Sequence, residues 1–178
     1  MSDKIMYEIR FATYDEVPLL PAIEQAACDL FLQYEATAAL PLYLTPLEDF
    51  YEAQRDNRLW VATLYGASPV GFALVEMIDD MAHLEELDVN PQHGQRGIGT
   101  KLVKTVCEWA RIKGIAAITL TTFREIPWNA PFYQKLGFRI LEIEELTRGL
   151  MERIELEESH GLSRELRVVM QYDTKVVW

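Results

Sequence analysis

Polar and apolar residues alternate along Tyr7-Glu8-Ile9-Arg10-Phe11, the period-two pattern of a strand with one buried side. Thr13, followed by Asp15 and Glu16, supplies an N-cap and an acidic first turn. The spacing predicts a helix running to about Tyr34, with Pro18 and Pro21 in or before its first turn. Pro41 and Pro46 break the next stretch, and Thr45 is placed to cap a second helix, Pro46 to Asn57, with proline at the first helical position. Leu59 to Tyr65 and Val70 to Met77 are apolar runs rich in β-branched and aromatic residues, and Gly66-Ala67-Ser68-Pro69 joins them as a hairpin loop. Asp79-Asp80 marks a further turn, and the alternation from His83 to Val89 ends at Asn90-Pro91. An antiparallel meander up to that point is expected.

Beyond it the period changes. Leu102, Val106, Trp109 or Ala110, and Ile112 recur at helical spacing from Gly99 to Lys113, and Gly114 ends the helix. Ile115 to Thr121 reads as a buried strand; joined through a helix, it should run parallel to the strand before the helix. A short helix from about Ala130 to Leu136 is stopped by Gly137, and a strand begins at Phe138-Arg139-Ile140-Leu141. Glu144 to Glu158 is rich in helix formers, with Gly149 as a weak point and Gly161 as the stop, and Leu166 to Tyr172 alternates as the last strand. These elements predict a single α/β domain over residues 7–173, with a mixed, mostly antiparallel sheet flanked by helices.

Composition narrows the function. The 178 residues suit one domain, and 49% hydrophobic with 25% charged residues is ordinary for a globular protein. With 28 acidic against 17 basic residues the formal charge is −11, which disfavours nucleic acid and anionic membranes as partners; it would draw in a cationic substrate, or simply aid solubility. No apolar run is long enough to span a bilayer and no signal-peptide core follows Met1, so a cytoplasmic location is expected by default. Cys28 and Cys107 match no paired spacing and are expected to be buried thiols. No His, Cys and Asp cluster has ligand spacing, so no metal is expected.

The candidate chemistry begins at Gln95-Arg96-Gly97-Ile98-Gly99, a glycine-rich loop between a strand and a helix. Such a loop points backbone N–H groups and the positive helix end at one spot, as a diphosphate requires, and glycine keeps side chains out of the way. A nucleotide P-loop would need Gly-Lys-Ser/Thr, whereas Gly99-Thr100-Lys101 stands here; a dinucleotide fingerprint would need glycine at Leu102. Both alternatives fail.

Leu87-Asp88-Val89-Asn90-Pro91 and Gly94-Gln95-Arg96-Gly97-Ile98-Gly99 together resemble the strand and loop of the GNAT superfamily of N-acetyltransferases, Leu/Ile-x-Val-x-Pro then Arg/Gln-x-x-Gly-x-Gly/Ala. Gly94 departs from the pattern, with Gln92 or Gln95 nearby as substitutes. Asn129-Ala130-Pro131-Phe132-Tyr133-Gln134-Lys135-Leu136-Gly137-Phe138 is similar to the family's downstream segment, in which a Tyr precedes Leu-Gly-Phe. The resemblance implies an acyl-CoA N-acyltransferase fold and acetyl-coenzyme A as co-substrate. It implies that Leu87, Asp88 and Val89 hold the thioester and pantetheine arm through backbone groups where the sheet splays open. It further implies that Gln95, Arg96, Gly97, Ile98, Gly99 and Thr100 wrap the pyrophosphate, and that Asn129 bonds the cofactor arm. The acceptor would be a primary amine of a small molecule or a protein. The family often forms homodimers.

Transfer to an amine needs a base for the nitrogen and an acid for the departing thiolate. The resemblance makes Tyr133 the acid; without it Tyr133 reads as a core aromatic. Alternation puts His83, Glu85, Leu87 and Val89 on one strand face; since the resemblance implies that Leu87 and Val89 flank the thioester, Glu85 and His83 both stand as base candidates, His83 because it titrates in a useful range and Glu85 if partly desolvated. The bland alternatives are a solvated strand charge and a strand-edge histidine. His93 and His160 are weaker candidates. Phe123, Pro127 and Trp128 read as acceptor-pocket lining or as core. A different class of function, a non-catalytic acyl-coenzyme A binding or sensing domain, would keep the loop without the transfer.

Overall fold

The computed structural model describes residues 7–34, 37, 43–64 and 66–175; the expected break at Pro41 and strand end at Tyr65 lie outside them. Seven strands form one mostly antiparallel sheet in the order β1-β2-β3-β4-β5-β7-β6, with β1 at Tyr7–Phe11, β2 at Leu59–Leu64, β3 at Pro69–Ile78, β4 at Met81–Val89, β5 at Ala117–Phe123, β6 at Arg139–Ile140 and β7 at Arg167–Asp173. Among the described residues the α-helices are α1 (Leu20–Cys28), α2 (Leu47–Arg55), α3 (Ile98–Ile112), α4 (Ala130–Lys135) and α5 (Arg148–Ser159). The chain forms two compact units, Met1–Val75 with Glu86–Val106 and Glu76–Glu85 with Cys107–Trp178. Both β3 and β4 contribute to each unit.

In the first unit β1 runs antiparallel to β2, Tyr7 opposite Leu64 and Phe11 opposite Trp60, and β2 pairs antiparallel with β3 through a bulge at Ala62 and Thr63. Helices α1 and α2 supply the apolar residues that bury this end of the sheet. Val17, Leu20, Ile23, Phe50 and Ala53 close over Leu59, Val61, Phe72 and Leu74, with the Phe50 and Phe72 rings edge to face at 5.2 Å. Thr13 is the N-cap residue, as expected, with its backbone N–H donating to Glu16 Oε2 at 2.8 Å, and Arg10 fixes Glu16 at 2.7 Å. The long helix expected after them is instead a 3-10 turn over Tyr14–Leu19, α1, and a second 3-10 turn over Asp29–Gln33. Pro18 sits inside the first turn, where its missing N–H and fixed φ disfavour a regular α-helix.

Two other expectations need correction in this unit. The cap of α2 is Pro46, not Thr45, and the proline lies one position before the helix. Thr45 turns back to α1, giving both its backbone N–H and its hydroxyl to Glu24 Oε1 at 2.9 Å. Cys28 is half-buried, whereas Cys107, in the second unit, is buried as expected.

In the second unit β5 pairs antiparallel with β7 along its whole length, and the short β6 adds to the outer edge of β7. As expected, β5 runs parallel to β4; the ladder holds Ala82 opposite Ile118 and His83 opposite Thr119. His83 is therefore a buried residue of an interior strand, and the strand-edge reading is overturned. Along α3 the buried row is Leu102, Val106 and Ala110, at steps of four. Ile112 is 70% exposed, because two residues beyond Ala110 the helix has turned to its opposite side.

The helix expected from Glu144 begins later. Ile143–Glu145 is a 3-10 turn, and α5 starts at Arg148 with the Thr147 hydroxyl as its cap, accepting from Leu150 N at 3.3 Å. Gly149 is not a weak point but a close-approach residue: a Cβ there would sit 2.7 Å from Ile78 Cγ2. Its N–H and the Thr147 hydroxyl both donate to Asp79 Oδ2, at 2.8 and 2.5 Å. Asp79 and Asp80 have φ of 48° and 63°, the left-handed pair that a tight two-residue hairpin turn requires. Leu150 and Ile154 then pack with Leu141, Val169, Ile78 and Met81.

Candidate active site

The loop is built on an Asx turn. Asn90 Oδ1 accepts from Gln92 N at 3.0 Å, a 3-10 turn spans Pro91–His93, and Gly94 N closes it on Pro91 O at 3.0 Å. Gln95 (φ 58°) and Gly97 (φ 77°) are left-handed, which swings the chain into α3. A Cβ on Gly97 would meet nothing within 4 Å, so open space faces the loop. The first intrahelical bond, Lys101 N to Gly97 O at 3.1 Å, leaves Ile98, Gly99 and Thr100 with N–H groups that helix geometry cannot pair. Three converging donors, open space and the positive helix end fit a pyrophosphate.

The Arg96 side chain braces this loop. It donates to Tyr7 Oη at 3.1 Å and to Gln92 O at 3.3 Å, and Tyr7 Oη meets His93 Nδ1 at 3.1 Å. Neither Tyr7 nor the structural use of His93 was legible in the sequence, since Tyr7 and Arg96 are 89 residues apart. Gly71 explains how β3 and β4 come together beside Leu87, Asp88 and Val89: a Cβ there would lie 2.8 Å from Asp88 O. The Asp88 side chain belongs to a different environment. Burial, then the neighbouring Glu24, holds its carboxyl well above the usual range, and Oδ2 is buried without a hydrogen-bond partner among the described residues. Only its backbone is suited to a ligand.

In the second unit, Glu85 and His83 share a β4 face as alternation predicts, and their side chains approach at 3.8 Å. His83 gives no useful titration. Burial, then Arg153 and Arg167, pushes its pKa down to about 3, so it is neutral near pH 7, with Nδ1 bonded to Thr119 Oγ1 at 2.9 Å. Glu85 moves the other way. Burial raises its pKa to about 7, with Arg153 and Arg167 lowering it and Glu76 and Glu157 raising it. Glu85 Oε1 accepts from Arg153 Nη1 at 2.8 Å, while Oε2 is buried without a hydrogen-bond partner among the described residues. Arg153 also pairs with Glu76, and Arg167 Nε with Glu157 at 3.1 Å. Arg153 and Glu76 carry no local signal in the sequence, because their pairing joins residues 77 positions apart.

Tyr133 lies on α4, buried, with its ring against Phe132 at 5.0 Å and Phe138 at 5.6 Å. Asn129 is the N-cap residue of α4; its side chain makes no cap bond, while its carbonyl accepts from Tyr133 N at 3.1 Å. Phe123 is covered by the Arg167 guanidinium, 5.0 Å from the ring centre, so it belongs to the packing around β7 rather than to an open acceptor pocket. Both cysteine thiols are pushed up to about 12 by burial, which removes them as nucleophiles. No group of residues suited to a metal ion occurs among the described residues, and none of their helices is long and apolar enough to cross a membrane.

A family model described as the acetyltransferase (GNAT) family matches residues 21–138. Over 62 residues the chain is 36% identical to the glucosamine 6-phosphate N-acetyltransferase of Trypanosoma brucei brucei, a match covering 35% of this chain and 40% of the relative. It is 30% identical over 100 residues to the probable N-acetyltransferase camello of Xenopus tropicalis, covering 55% of this chain and 46% of the relative. The matches therefore span less than half the length of either curated relative. The fold is similar to that of the paia N-acetyltransferase of Thermoplasma acidophilum, solved in complex with coenzyme A, at a TM-score of 0.66 and 15% identity, over 94% of this chain and 99% of that one.

Proposed function

We propose, from the premise that the chain belongs to the acetyltransferase (GNAT) family, that it moves the acetyl group of acetyl-coenzyme A to a primary amine of a small molecule or a protein, directly and in a ternary complex. The domain doing so spans residues 7–173. The observation that carries this reading is Glu85: a half-buried carboxylate whose pKa burial raises to about 7, with one oxygen that has no hydrogen-bond partner among the described residues, on the strand that runs into the anion-binding loop. The fit of the loop to a pyrophosphate, and the coenzyme A held by a structural relative, support the choice of co-substrate.

Each group then has a task. Ile98, Gly99 and Thr100 bind the pyrophosphate through N–H groups, Gln95, Arg96 and Gly97 shape the loop around it, and the backbone of Leu87, Asp88 and Val89, with Asn129, holds the pantetheine arm. Bound acetyl-coenzyme A supplies an activated acetyl group as a thioester. Glu85 takes a proton from the acceptor nitrogen, the nitrogen forms its bond to the acetyl carbon as the carbon–sulfur bond breaks, and Tyr133 gives its proton to the sulfur. His83, neutral, packs beside Glu85 and does not act as the base.

The test is thiol release from acetyl-coenzyme A with a panel of primary amines: a polyamine, an aminoglycoside, an amino acid amide and a peptide. The expected result is amine-dependent release that falls as pH drops through about 7, where Glu85 becomes protonated, and loss of that acid limb in Glu85→Gln. Release that no amine accelerates would leave an acyl-coenzyme A binding domain in place of an enzyme.

A further inference from the structure

Helix α5 brings one arginine to two carboxylates on neighbouring strands. Arg153, with a side chain only 14% exposed, donates through Nη1 to Glu85 Oε1 at 2.8 Å and through Nη2 to Glu76 Oε2. The two oxygens of Glu85 are thereby divided. Oε1 is engaged, while Oε2 is buried, lacks a hydrogen-bond partner among the described residues and lies 3.8 Å from Nε2 of a neutral His83 that Thr119 holds in place.

We propose that Arg153 is the positioning residue of Glu85: bridged to Glu76 on β3, it holds Oε1 and so leaves Oε2, beside His83, as the oxygen that takes up the proton. This rests on the reading of Glu85 as the base. Docking α5 does not require the arginine. Leu150 and Ile154 already seat the helix, and Thr147 and Gly149 tie its first turn to Asp79. Replacing a whole buried ion-pair cluster with apolar side chains is often neutral or stabilising, so a helix serving only as a cover would be as well held by apolar residues in place of Arg153, Glu76 and Glu85 together.

The charges around Glu85 also point to what it serves. Arg153 and Glu157 reach it from α5, Glu76 from β3, Arg167 from β7 and His83 along its own strand. When Glu85 is ionised, Glu76, Glu85 and Glu157 outweigh Arg153 and Arg167 by one negative charge, and His83 contributes none. An acceptor arriving as an ammonium would balance the cluster, and Oε2 is the carboxylate oxygen that Arg153 leaves to take its proton.

Two substitutions move the same carboxyl in opposite directions. In protein labelled isotopically at the glutamate side-chain carboxyls, the Glu85 resonance is identified by its absence from Glu85→Gln and titrated by NMR. Arg153→Met removes the counter-charge and should raise the midpoint by about 1 pH unit or more, whereas Glu76→Gln removes a like charge and should lower it. Arg153→Lys should return the midpoint toward that of the parent while restoring kcat for the amine panel only in part, because a single ammonium cannot hold both carboxylates in a fixed fork. An unmoved midpoint in both Arg153→Met and Glu76→Gln, or, if Arg153→Met does not fold, full kcat in Arg153→Lys, would overturn the proposal. Failure of the base reading is separate: Glu85→Gln would then keep the parent's acid limb in thiol release, whatever the carboxyl titration shows.

Discussion

Gly97 is needed for its backbone angle rather than for lack of room, since its φ of 77° is left-handed and the position of a Cβ is open. Asp tolerates this region better than most residues, so Gly97→Asp should fold, while placing a carboxylate where the loop offers its N–H groups to phosphate. Isothermal calorimetry should show acetyl-coenzyme A binding abolished with the circular dichroism spectrum unchanged; retained binding would remove the loop from the site. Tyr133 allows a finer subtraction. Tyr133→Phe removes only a hydroxyl while the ring keeps its contacts with Phe132 and Phe138. Acetyl transfer should then slow by roughly 10²–10⁴-fold with little change in cofactor affinity. If affinity falls along with rate, the hydroxyl holds the cofactor instead of donating a proton.

At the scale of elements, α5 depends on one position in its first turn. Gly149→Ala would gain up to about 1 kcal/mol of helix propensity. It would also drive a methyl group against Ile78 and the Asp79 carboxylate, an overpacking that costs about 1–3 kcal/mol. Thermal denaturation should show a net loss of stability, and turnover should fall with it because α5 carries Arg153; an unchanged melting temperature would mean that the hairpin turn simply yields. The same helix shows where sequence reading stopped. Helix α3 was legible to within a residue at each end, because its apolar row and terminal glycine are local signals. The start of α5 was not, because helix formers continue upstream of it and the contact that sets the start, Thr147 with Asp79, spans 68 residues. The loop motif and the shared face of His83 and Glu85 were likewise legible, since both follow from spacing. Tyr7, Glu76 and Arg153 were not, because nothing in their neighbourhoods records the strand or helix that they meet.

At the scale of the whole molecule, His83 and Glu85 on β4 should leave a signature in how stability varies with pH. His83 has its pKa lowered from 6.5 to about 3, so between those values the unfolded chain binds a proton that the folded protein does not, and this group alone makes stability fall as pH falls. Glu85 has its pKa raised from 4.5 to about 7, so across that window the folded protein holds the extra proton, and this group alone makes stability fall as pH rises. Between pH 4.5 and 6.5 the two differences cancel, one proton against one, and the pair contributes no slope. Single substitutions should uncover each slope. Relative to the parent, His83→Gln should lose stability as pH rises from 4.5 to 6.5, and Glu85→Gln should lose it as pH falls over the same range, each by up to about 1.4 kcal/mol per pH unit. Denaturant unfolding at several pH values measures both, and taking variant minus parent removes the titration of groups elsewhere. Parallel curves for parent and both variants would show that neither group is held away from its ordinary pKa, and the near-neutral carboxylate on which the base assignment rests would be lost with them.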